Sequence, residues 1–160
     1  MIVIADTSPL NYLVLIHHAE LLAAVYGKII LPAKVLQELQ RPGAPEAVKD
    51  WASNLPAWVE VQDAPPIVLG VDESDLDEGE LAALQLAVGQ RGCLVLLDAA
   101  AGRRAATALG IQSIGTVGIL IRGSQLGLVD LDSAISALKG TSFYMSRYLL
   151  NAVAAHSGLK

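Results

Sequence analysis

The chain of 160 residues has one cysteine, Cys93, so no internal disulfide framework holds it together, and a lone thiol fits a reducing compartment. Its N-terminus lacks the basic stretch and small-residue cleavage site of a secretory signal, which leads us to expect a cytoplasmic location. No apolar run approaches the ~18–20 residues that a membrane span requires, so no membrane association is expected. Histidine is sparse: three residues, none in an H-x-x-x-H pattern, which argues against zinc. Charged residues make up only 17% and the net charge is −5, which excludes the broad basic footprint of a passive nucleic-acid binder. It does not exclude nucleic acid as a substrate met through a metal ion.

Apolar residues are plentiful, at 53% of the chain with a mean hydropathy of +0.49. That excess, without a membrane span, points to a sheet buried on both faces and to surface left over for a subunit interface. Short apolar runs ("VIA", "KIILP", "WVEVQ", "CLVLLD", "IQSIGT") read as strands and alternate with helical patterns. The first helix is expected across Leu10–Val25. Further helices follow in "AKVLQELQ", "PEAVKDWASNL", "DEGELAALQLAVGQRG", "AGRRAATALG" and "VGILIRGSQLG", and C-terminal helices are expected over about 131–157. Strands joined by helices imply right-handed crossovers, a mainly parallel central sheet and one α/β domain over residues 1–160. In such sheets, functional groups gather beyond the carboxyl ends of the strands.

Two aspartates stand at that edge. Asp6 follows "IVIA" directly, with Thr7 and Ser8 left to cap the next helix; Asp98 closes "CLVLL". Either alone could be a cap. A pair of strand-ending aspartates in one parallel sheet is harder to attribute to chance. Glu38 lies on a short amphipathic helix, beside Val35 at i+3. Glu80, with Asp77 and Glu78, opens a helix that is otherwise nearly apolar, so its carboxylate is held against a packed face. Of these three, Glu80 is the stronger candidate.

Carboxylates ~4 Å apart repel by about 4 kcal/mol at an effective dielectric of ~20. A cluster of four therefore needs a counter-ion, and Mg²⁺ or Mn²⁺ is the expected guest. A hard cation at such an edge suits phosphoryl chemistry, activating water and offsetting phosphodiester charge. Arg103 and Arg104, in the helix after Asp98, are candidate phosphate contacts, and Ser8 or a helix N-terminus could position phosphate.

The stretches "VIADTSPLNYL", "ILPAKVLQEL", "LDEGELAALQLA", "VLLDAAAGRRAATALGI" and "IGTVGILIRGSQLGLV" run in order across residues 2–129 and resemble PIN-domain proteins. The resemblance is to the small prokaryotic branch similar to VapC-type toxins. It implies a three-layer α/β/α fold, an Mg²⁺- or Mn²⁺-dependent ribonuclease acting on RNA, a frequent homodimer and a small antitoxin partner. By position it assigns the acidic site to Asp6, Glu38, Glu80 and Asp98. The pattern departs at one place: the branch usually carries two acids after the fourth strand, whereas Asp98 is followed by Ala99. That change, natural or introduced, predicts a weakened or inactive metal site and keeps open a non-catalytic PIN-like binding or regulatory module.

Other enzyme classes fit less well. A haloacid-dehalogenase-type phosphatase needs a second aspartate where Ser8 stands. A dinucleotide-binding fold needs G-x-G-x-x-G in place of "DTSPL", and "GIQSIGT" has Thr116 where a P-loop has lysine. The helices "LNYLVLIHHAELLAAV" and "FYMSRYLLNAVAAH" hold more apolar surface than one small sheet must cover, and are candidates for dimer or antitoxin docking.

Overall fold

A computed structural model describes residues 1–156. Five strands, β1 (Ile2–Ala5), β2 (Ile29–Pro32), β3 (Val59–Gln62), β4 (Cys93–Leu96) and β5 (Gln112–Ile114), form one parallel sheet in the order β3-β2-β1-β4-β5. The chain therefore winds outward from β1 in one direction, then returns and winds outward in the other. The reversal opens a crevice beside β1 at the carboxyl edge.

Nine helices among the described residues cover the sheet: α1 (Thr7–Leu15), α2 (Glu20–Tyr26), α3 (Ala33–Leu39), α4 (Glu46–Ser53), α5 (Glu78–Ala87), α6 (Ala100–Ala108), α7 (Thr116–Gln125), α8 (Leu131–Lys139) and α9 (Arg147–His156). Strand alternation divides the core in two. Val3, Ala5 and Leu96 pack with α1–α4, α7 and α8, while Ile4, Val95 and Leu97 pack with α5 and α6. This is the expected three-layer α/β/α arrangement, and β-branched and leucine side chains fill both of its interfaces.

The single helix expected over Leu10–Val25 is two helices. His17 takes a left-handed conformation (φ 62°), and the His18 Nδ1 lies 2.6 Å from the Ile16 carbonyl, so the chain turns before α2 begins. Apolar periodicity continued through this break because both helices bury leucines (Leu10 and Leu13, then Leu21 and Leu22) in the same core. Much of that stretch is therefore interior, with His17, Glu20 and Ala24 left exposed. The second apolar candidate differs: α9 has no buried residue, and only Leu149 and Val153 rest partly on the core. Residue 157, placed at the end of this last helix by the sequence pattern, lies outside the described residues.

Candidate functional site: an acidic cleft at the sheet's carboxyl edge

Register decides how the strand-ending acids are disposed. Ala5 pairs with Leu96, so Asp6 is level with Leu97 and Asp98 stands one residue further out. Side chains alternate along a strand. Asp6 accordingly continues the Ile4 face towards α5, and Asp98 continues the Leu96 face towards α1 and α7. One residue of offset separates the two carboxylates.

Asp6 is 3% exposed and is the N-cap residue of α1, yet its side chain makes no capping bond. Its Oδ1 has no hydrogen-bond partner. Glu38, half-buried on α3, accepts the Gly79 N–H at 3.1 Å through Oε1 and the Thr7 hydroxyl through Oε2. The two acids meet at Gly79. A Cβ there would lie 2.9 Å from Glu38 Oε1 and 3.0 Å from Asp6 Oδ1, so the glycine leaves room for both oxygens against the start of α5.

Glu80 is 6% exposed and joins Asp77 in a reciprocal cap. The Asp77 carboxylate accepts the Glu80 N–H at 2.7 Å, and Glu80 Oε1 accepts the Asp77 N–H at 3.0 Å. Asp6, Glu38, Asp77 and Glu80 line one cleft of ≈ 380 Å³, together with Thr7, Ser8, Asn11, Tyr12 and Arg41. Arg41, the one cationic side chain lining it among the described residues, donates to the Glu38 carbonyl at 2.7 Å.

The electrostatics follow from burial. Desolvation raises the Asp6 pKa well above its usual value; the nearby Thr7 N–H offsets part of this, and the charges of Asp77, Glu80 and Glu38 add to the rise. Burial likewise raises Glu80, opposed by the Asp77 N–H and reinforced by Asp77 and Glu38. Asp98 is not among the groups that shift Asp6.

Asp98 is engaged elsewhere. It accepts Ser8 Oγ, the Thr116 N–H and Thr116 Oγ1, each at 2.7 Å. Thr116 opens α7, so the "GIQSIGT" turn does receive an anion at a helix N-terminus, and the anion is the protein's own carboxylate. Gly115 permits the approach, since a Cβ there would lie 2.6 Å from Asp98 Oδ1. The structure thus brings Asp6, Glu38 and Glu80 together and leaves Asp98 in the adjoining groove with Arg103 and Arg104. Ser8 forms part of both walls, and its hydroxyl donates to Asp98.

Among the described residues, no three His, Cys, Asp or Glu side chains form a ready ligand set. The donor chemistry nevertheless fits a hard cation at one point, where Asp6 Oδ1, buried and unpartnered, faces the same space as Glu38 Oε1. An unpaired buried carboxylate oxygen costs upwards of ~1–3 kcal/mol, and a divalent ion offsets that cost.

Asp77, Thr7 and Arg41 are lining residues that the sequence reading did not assign. Asp77-x-x-Glu80 has the spacing of a reciprocal cap, which could have drawn attention to Asp77. No local pattern marks Thr7 or Arg41, whose roles depend on where α3 packs.

The molecule is a parallel α/β/α sandwich with an acidic cleft at the reversal of strand order. A family model for the PIN domain matches residues 2–158, and the chain belongs to the PIN-domain family. PIN domains are generally nucleases and typically use divalent metal ions. No curated protein matches the chain.

Proposed function

We propose that this protein is a divalent-metal-dependent ribonuclease of the VapC-type toxin class, hydrolysing RNA phosphodiesters at the acidic cleft. The observation that carries the reading is the unpartnered oxygen of Asp6, buried against Glu38 where α5 begins. Asp6 and Glu38 would hold Mg²⁺ or Mn²⁺, with Glu80 at the rim of the same cleft. When bound, the cation supplies Lewis acidity and offsets the charge that develops on the phosphodiester. The chain's own groups do the rest. The Thr7 hydroxyl and the Gly79 N–H fix the Glu38 carboxylate, and the Asp77–Glu80 cap fixes the start of α5. Arg103 and Arg104 meet phosphate on the far side of Ser8. Asp98 acts as a positioning residue that ties α1 to α7 through Ser8 and Thr116. A small antitoxin and a second copy of the chain are the partners this class implies, and the cytoplasm is its setting.

The test is titration of Mn²⁺ into the wild-type protein and into Asp6→Asn, alongside cleavage of an unstructured RNA. Changing a residue that only supports a metal ligand costs about 10–100-fold. Loss of Asp6 should therefore reduce cleavage at least ~100-fold and abolish saturable Mn²⁺ binding. Equal binding by both proteins would refute the assignment. Two observations favour the second reading, a non-catalytic PIN-like module: Ala99 carries no carboxylate, and Asp98 is bound to protein donors. Absence of Mn²⁺ binding in the wild type would establish that reading instead.

A further inference from the structure

Beyond Ser8 and Tyr12, which line both spaces, the acidic cleft continues into a groove of ≈ 1160 Å³. That exceeds the roughly 300–1,000 Å³ typical of a small-ligand pocket and suits an extended chain. Its lining combines two chemistries. On the α6 side stand Arg103 and Arg104, and among the described residues neither is paired with a carboxylate. Asp98, which lines the same groove, already accepts three hydrogen bonds. Tyr144 and Tyr148, which are 81% and 72% exposed, line the same groove.

These tyrosines are not on a loose tail. The segment before α9 is anchored to α1: Ser142 Oγ lies 2.9 Å from the Tyr12 hydroxyl, and the Phe143 ring packs edge-on against Tyr12 with centroids 5.1 Å apart. Ser146 then accepts the Leu149 N–H at 3.1 Å. A held segment presenting two solvated aromatic rings, in one groove with two unpaired guanidinium groups, has the elements of a single-strand platform. Cations follow the phosphates and rings receive unpaired bases.

We propose that this groove binds the unpaired stretch of RNA flanking the scissile bond, with bases stacked on Tyr144 and Tyr148 and phosphates held by Arg103 and Arg104. The inference rests on the ribonuclease reading and adds to it the side chains that receive the strand beside the cut. A paired base has both faces covered by its neighbours in the stack, so a duplex has nothing to offer the two rings. Stacking also reconciles RNA binding with a net charge of −5, because it does not depend on a basic surface.

The experiment measures binding of a short, fluorescent, ribose-methylated single strand, which is not cut, against the duplex of the same sequence. The single strand should bind more tightly. Tyr144→Ala and Tyr148→Ala should each lower its affinity at least about fivefold, and Tyr→Phe at either position should retain it, since the ring persists. Replacing both arginines by glutamine should reduce the slope of log affinity against log salt by about 1.4. Equal affinity for single strand and duplex overturns the proposal, as does indifference to both alanine variants, whose exposed positions leave folding intact. If binding depends on the tyrosines but no RNA is cut, the ribonuclease reading fails and the platform stands. If RNA is cut while binding ignores the tyrosines, the platform fails alone.

Discussion

Asp6 is a carboxylate held in a place where a carboxylate is costly. Burial raises its pKa above the usual 3.8, and burial raises Glu80 above 4.5. The folded state therefore binds these protons more tightly than the unfolded chain does. Without metal, the penalty is fully present above the raised values, shrinks as pH falls through them, and is gone below the ordinary ones. Asp6→Asn should accordingly stabilise the metal-free protein at neutral pH by about 0.5–2 kcal/mol, and the difference should close on acidification. Thermal midpoints of both proteins across pH measure this; a difference that widens in acid contradicts it. Gly79 gives a complementary expectation. Gly79→Ala gains up to ~1 kcal/mol of helix propensity, but its methyl would displace the Asp6 and Glu38 oxygens, so Mn²⁺ affinity should fall at least about tenfold while helicity is kept. Calorimetric titration with circular dichroism separates the two effects. Asp6 and Glu80 were legible as candidates because each carboxylate sits where an apolar pattern begins or ends, whereas Glu38, inside an amphipathic helix, was assigned only through the family resemblance. The space between them was not legible, since it is made by the absence of a side chain at residue 79.

At the scale of elements, strands and their order of appearance were readable because β-branched runs and helix caps are local signals. Two things were not. The break at His17 lacks glycine or proline, and continuous apolar periodicity conceals it. The direction of Asp98 depends on the pairing of β1 with β4, which no local stretch encodes. Ala99 is also an element-scale residue, the N-cap of α6, where it makes no side-chain bond. Ala99→Asp should strengthen that helix start by about 0.5–2 kcal/mol and increase Mg²⁺-dependent RNA cleavage. Denaturant midpoints and an RNA cleavage assay report the two separately, and a gain in stability without any gain in cleavage would remove Ala99 from the account of the site.

For the whole molecule, the sheet order β3-β2-β1-β4-β5 is the governing fact, because it sets the crevice beside β1, where Asp6 stands. The α/β class was legible in the alternation of strands and helices. The placement of α9 outside the core was left open, since its apolar content suited a core helix as well as a docking surface. A cation bound only by the folded state stabilises all of it by mass action. Mn²⁺ at a hundredfold excess over its Kd should add ~2.7 kcal/mol, a rise in Tm of roughly 5–10 °C for a domain of this size. Differential scanning calorimetry with and without Mn²⁺ reads this directly, and Asp6→Asn should show no such rise.

One turn of α1 has an outsized position in this architecture. Ser8 and Tyr12 face the acidic chamber on one side and the arginine–tyrosine groove on the other. Whatever shifts that turn by a fraction of an ångström moves the threshold between the two rooms. Scission and grip would then change together, from a single hinge point that carries no acid and no base.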